Sequence, residues 1–111
     1  MLNMLQSVLQ PNQVDRKRIE RKLKNRARYR YVHPTVIAEH GGYRIESPCC
    51  SRNVDQEGGV IDIARLEYAA SLWRLYRKDH QQHSWVLYAE TATLTAALDI
   101  LLPDTDRVFW P

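Results

Sequence analysis

The sequence contains only two cysteines, and they are neighbours, Cys49 and Cys50. A disulfide needs Cα atoms about 4.4–6.8 Å apart, and consecutive Cα atoms across a trans peptide sit about 3.8 Å apart. Joining the two would strain the backbone, so they read as a reduced pair, which places the chain in the cytoplasm. No stretch approaches the roughly 18 apolar residues of a membrane-spanning helix, and no membrane partner is expected. Met1 to Gln10 has no basic run before its apolar residues and is interrupted by Asn3, Gln6 and Ser7, which does not fit a signal peptide. No serine sits in a nucleophile elbow. No glycine run matches a phosphate-binding loop or a dinucleotide turn. Internal repeats and low-complexity segments are absent too, and no cofactor is implied.

What is present is enough for one domain over residues 1–111, with residues 1–11 frayed. Apolar residues make up 44% of the chain, including three tryptophans and six tyrosines, so the chain can bury a core. The charge is unevenly spread. Between Asp15 and Arg30 nine basic residues face two acidic ones, whereas seven basic and eleven acidic residues share the rest. A cationic segment is therefore attached to a mildly acidic body.

Leu2, Leu5, Val8 and Leu9 suggest a short amphipathic turn that Pro11 ends. Asn12 then caps a helix over about residues 13–28, with Asp15 in its first turn. Ile19, Leu23 and Ala27 form the apolar stripe, and Lys17, Arg21, Lys24 and Arg28 fall opposite. Glu20 is placed to pair with Lys24 and Arg16.

Tyr29, Tyr31 and Val36 to Glu39 read as a strand that Pro34 interrupts, so that it is broken, bulged or at an edge. His40-Gly41-Gly42-Tyr43 signals a tight primed turn, after which Tyr43 to Ser47 returns. Ser47 to Gly59 is a long polar loop. Val60 to Tyr68 reads as a strand with a turn near Ala70, although a helix also fits its apolar spacing. In Leu72 to Arg77 and Trp85 to Glu90, alternation puts Trp73, Leu75, Trp85, Leu87 and Ala89 on one face. Arg74, Tyr76, Val86 and Tyr88 go to the other. Thr91 or Thr93 caps a final helix through Leu94, Ala97, Leu98 and Leu101, which Pro103 stops. The Val108-Phe109-Trp110 tail is expected to dock on the core. The fold class is α+β: an antiparallel sheet of about five strands, with an N-terminal and a C-terminal helix packed on one face.

Trp73-Arg-Leu-Tyr76, Trp85-Val-Leu-Tyr88, the leucines at 94, 98 and 101, and Asp106-Arg-Val-Phe-Trp110 have a spacing that resembles a family of small uncharacterised bacterial proteins, a domain of unknown function. The resemblance covers mainly residues 60–111. It implies a small α+β domain and carries over no activity, cofactor or functional residue.

Two features remain as candidate sites. Lys17, Arg21, Lys24 and Arg28 could meet phosphates, with Arg18, Arg26 and Arg30 on the flanks and Tyr29 and Tyr31 placed to stack on unpaired bases. The same residues also suit a solvated helix face or an acidic protein partner. Cys49 and Cys50, with Arg52 and Asn53, form a second candidate, in which a cation beside a thiol would favour thiolate chemistry. Inward packing of one cysteine explains the pair equally well. Metal binding is not expected: adjacent cysteines lack the usual ligand spacing, and His33, His40, His80 and His83 read as surface histidines. The leading reading is a non-enzymatic binding or accessory module whose first partner is nucleic acid. The alternatives are a thiol-dependent enzyme or redox sensor and a structural protein-interaction module.

Overall fold

The computed structural model describes residues 9–111; the expected turn at Leu2, Leu5 and Val8 lies outside these. Helix α1 covers Gln13–Leu23. The strands β1 Thr35–Glu39, β2 Gly42–Pro48, β3 Val60–Ala69, β4 Leu72–Asp79 and β5 Ser84–Thr91 follow, and helix α2 covers Leu94–Leu101. The five strands form one antiparallel sheet in the order β1-β2-β3-β4-β5. This is the expected α+β arrangement, and residues 60–69 are strand rather than helix.

One apolar cluster joins both helices to one face of the sheet. Ile19 and Leu23 from α1 and Leu94, Ala97, Leu98 and Leu101 from α2 are buried with Val36, Tyr43, Ile45, Leu66, Trp73 and Leu75. The opposite face carries charged side chains. Its composition follows from the period of two along each strand.

Two bulges adjust that alternation. Ile45 pairs with Ala64 and Glu46 with Asp62, so Ile63 is the extra residue and is buried beside Ala64. On β5, Ala89 pairs with Leu75 and Leu87 with Tyr76, which leaves Tyr88 as the extra residue. The expected faces of β5 are therefore corrected. Leu87 and Trp85 share the charged face with Tyr76 and Lys78, and the Lys78 ammonium lies 4.7 Å from the Trp85 ring centre. Tyr88 instead meets Phe109 edge-on at 5.1 Å. A bulge reverses a strand's faces beyond it, and simple alternation does not reveal one.

The turns differ in mechanism. At the β1–β2 turn only Gly41 has a positive φ, 79°, so the expected primed turn is corrected to one with a single left-handed residue at its second position. Gly42 is required by space instead: a Cβ there would lie 1.9 Å from the Leu66 carbonyl oxygen. At the β3–β4 turn, Ala70 and Ser71 both take positive φ, 52° and 64°, between the paired residues Ala69 and Leu72. That is the geometry of a two-residue primed turn, built without glycine or asparagine.

Helix α1 starts as expected. The Asn12 side chain accepts from the Asp15 N–H at 2.8 Å, and the Tyr43 hydroxyl accepts from the Asn12 N–H at 2.8 Å, pinning the helix start to the sheet. The helix ends five residues earlier than its periodicity suggests. Lys24, Asn25 and Arg26 donate to carbonyls three residues back, and the Ala27 N–H leaves the helix for the Leu102 carbonyl at 2.9 Å. Tyr29 and Tyr31 lie in the connection, not in a strand. At α2 the cap is Thr93, whose hydroxyl accepts from the Ala96 N–H.

The C-terminal segment docks as expected, through a residue the sequence did not single out. The Asp104 carboxylate is buried and accepts from the backbone N–H groups of Val108, Phe109 and Trp110. The Trp110 indole donates to the Leu101 carbonyl at 3.1 Å.

Candidate functional site

The charged face of the sheet satisfies itself. Arg44 reaches Glu39, Glu46 and Asp62 at 2.9, 2.7 and 2.9 Å. Arg65 bridges Glu39 and Glu67, Arg74 bridges Glu67 and Glu90, and Lys78 pairs with Asp62 at 3.0 Å. Hydrogen bonds that Arg44 donates to Glu39 first, then to Glu46 and Asp62, hold its guanidinium further toward the charged form. Burial pushes the Asp62 carboxyl up, but the bonds from Lys78 and Arg44 outweigh it and hold it below the usual range. The register sets Arg74 opposite Glu67 and Glu90, but Arg44 opposite Arg65 and Glu46 opposite Asp62, so the remaining ion pairs run diagonally or along one strand.

The cations of α1 have no such partners. Lys17, Arg21 and Lys24 are exposed at i, i+4 and i+7 along one side of the helix. Among the described residues no carboxylate lies within ion-pair distance of any of them, and the one ion pair on the helix joins Arg18 to Asp15 at 3.6 Å. The expected pairing of Glu20 with Lys24 and Arg16 is absent from it. Arg28 is corrected: it lies beyond the helix end, off the stripe, and its Nε donates to the Asp104 carbonyl at 3.4 Å.

Arg26 is corrected as well, since it is buried rather than flanking an open patch. Its guanidinium donates to the carbonyls of Leu23 at 2.8 Å and of Tyr29 at 2.7 Å, and also to that of Val32. It lies 5.8 Å from the Trp110 ring centre. Burial, and then the charge of Arg30, lower its affinity for the proton. Arg26 thus closes the open carbonyl end of α1 and fixes the connection that follows.

In the loop between β2 and β3, Cys49 is half-buried and Cys50 exposed. The Cys49 thiol donates to the Ser51 carbonyl at 3.1 Å. Arg52 and Asn53 are exposed, and among the described residues Arg52 makes no hydrogen bond to either sulfur. The neighbour that the fold brings to the thiols is Tyr29. Burial pushes its phenol up to about 12; the Cys50 backbone pulls it back in part, and the charges of the Cys49 and Cys50 thiols push it up again. The Asp55 side chain closes the far end of the loop by accepting from the N–H groups of Glu57 and Gly59.

Two depressions lie on the described surface. A cleft of about 550 Å³ opens where the starts of α1 and α2 meet, against Asp15, Arg18, Tyr68, Trp73 and Thr93. A smaller one of about 270 Å³ gathers Asp55, Asp62, Lys78, His80 and His83. There burial first, and then the Lys78 charge, hold the His80 imidazole below its ordinary value. Among the described residues no three of His, Cys, Asp and Glu stand close enough to hold a metal ion. Among the described residues no helix is long and apolar enough to cross a membrane.

Fold and surface together define a small α+β domain: an antiparallel meander backed by two helices, one of them bearing a row of exposed cations. The chain belongs to the family described as Domain of unknown function (DUF3024), which matches residues 7–111. The family thus extends well beyond the C-terminal half that carried the resemblance, and takes in α1 and the cysteine loop. No curated protein and no solved structure matches the chain.

Proposed function

We propose that this protein is a non-enzymatic binding module that contacts nucleic acid through the cationic side of α1. One observation carries the reading. Among the described residues Lys17, Arg21 and Lys24 have no ion-pair partner, while Glu39, Glu46, Asp62, Glu67 and Glu90 lie on the sheet face away from the helices and are engaged by its own arginines and Lys78. Exposed cations at helical spacing repel one another mildly in the free protein. A polyphosphate removes that repulsion and releases its condensed counterions, so affinity should fall steeply with salt.

The test is an anisotropy titration at low and physiological salt against single- and double-stranded DNA and RNA. Binding near micromolar at low salt is expected, weakening by roughly tenfold or more as salt is raised. The combined variant Lys17→Glu, Arg21→Glu, Lys24→Glu should lose that binding while keeping its fold by circular dichroism. No binding by the native protein at micromolar concentration in low salt refutes the reading. An acidic protein partner would then be the occupant left for the same face.

A further inference from the structure

Tyr31 is completely exposed, at 100%, while Tyr29 two residues earlier is drawn inward. The Tyr29 hydroxyl donates to the Pro111 carbonyl at 2.7 Å, and its ring meets Trp110 edge-on at 5.5 Å. Of the two aromatics that follow the basic helix, one is an anchor and the other is on display. We propose that the α1 site takes an unpaired polynucleotide strand, with one base stacked on Tyr31. This rests on the reading of α1 as a nucleic-acid face and specifies the form of the ligand.

The mount that carries Tyr31 is firm. The buried Arg26 guanidinium grips the carbonyls of Tyr29 and Val32, on either side of Tyr31 in the chain. The Val32 N–H returns to the Tyr29 carbonyl at 3.4 Å, closing the turn. Tyr29 is held at a φ of 58°, a conformation a bulky residue adopts only where its surroundings impose it. A ring presented on a fixed turn loses less freedom on stacking than one on a loose loop. In the free protein the ring has no burial to contribute to stability, so its removal should be silent in folding.

Charge surrounds the ring. Arg30 is adjacent in the chain and exposed, and Arg28 is three residues away, within about 11 Å even for an extended chain. A strand that follows the cations from Lys17 to Lys24 and on to Arg30 would bring its bases to Tyr31. Only unpaired bases offer an open π-face; in a duplex the faces are covered by their neighbours. A duplex can therefore use the cations but not the ring.

The experiment compares a short homopyrimidine strand, as DNA and as RNA, with the duplex it forms, at low salt. Tyr31→Ala should weaken single-strand binding by roughly 5- to 150-fold. It should leave duplex binding, the salt dependence and the thermal midpoint unchanged. Tyr31→Phe should keep most of the affinity. The helix variant Lys17→Glu, Arg21→Glu, Lys24→Glu should weaken both forms. If Tyr31→Ala binds the single strand as native does, stacking is refuted, while salt-sensitive binding lost in the helix variant still upholds the α1 reading. If the native protein binds neither form, both fall together.

Discussion

Removing the Asp104 carboxylate should cost this domain a large part of its stability. Asp104 is 2% exposed, and its two oxygens accept from Val108 N–H at 2.9 Å, from Phe109 N–H at 3.2 and 3.1 Å, and from Trp110 N–H at 2.7 Å. These bonds turn the chain back after α2 and seat Phe109 and Trp110, each 1% exposed, in the core. Hydrogen bonds to a charged group contribute about 1.5–3 kcal/mol each, and a buried donor left without a partner costs about 1–3 kcal/mol. Water can reach part of the segment, so Asp104→Ala should cost about 3–5 kcal/mol, a third or more of the stability of a typical domain. Asp104→Asn keeps the shape but turns one acceptor into a donor that faces N–H groups. It should cost about 2 kcal/mol or more. Urea denaturation followed by tryptophan fluorescence measures both, with a lower midpoint and an unchanged slope as the expected signature. An Asp104→Asn protein within about 0.5 kcal/mol of native would refute the argument, because a carboxylate holding three backbone donors cannot be that replaceable.

The β3–β4 turn offers a gain instead. Left-handed conformations cost ordinary residues about 1–2 kcal/mol each, so replacing Ala70-Ser71 by Asn-Gly should stabilise by about 1 kcal/mol after the added freedom of the unfolded glycine is subtracted. A midpoint raised by about 5 °C is the readout, and no rise would mean that the turn is not strained. Gly42→Ala forces a methyl into the Leu66 carbonyl and should destabilise by about 2 kcal/mol or more, measured by the same denaturation. Because the folded His80 imidazole is held below its ordinary value, the unfolded chain takes up its proton first as pH falls. The stability linked to this group is complete above about pH 6.5–7 and is lost as pH drops through the folded value. His80→Gln should therefore flatten the fall in stability between about pH 7 and pH 5, and an unchanged profile would count against the shift.

The class and layering of the fold were legible in the residues because burial has a period. Ile19 and Leu23 repeat at helical spacing, Tyr43 and Ile45 alternate, and Leu94, Leu98 and Leu101 line one side of α2. Caps were legible where a side chain acts on its own neighbours, as Asn12 does for Asp15 and Thr93 for Ala96. The row of cations at 17, 21 and 24 was visible for the same reason: a helix converts spacing into a face.

Tertiary structure decided what depends on residues far apart in the chain. The end of α1 at Leu23 is set by the Ala27 N–H finding the Leu102 carbonyl and by Arg26 turning inward over Trp110, and no local pattern encodes either. The faces of β5 depend on a bulge whose evidence is the pairing with β4. That Tyr29 is an anchor and Tyr31 a free ring is fixed by Pro111, at the opposite end of the chain. On the sheet face away from the helices, packing brings the carboxylates to that face's own arginines. Local spacing determines which residues share a face, but only the packed chain determines which charges already have a partner.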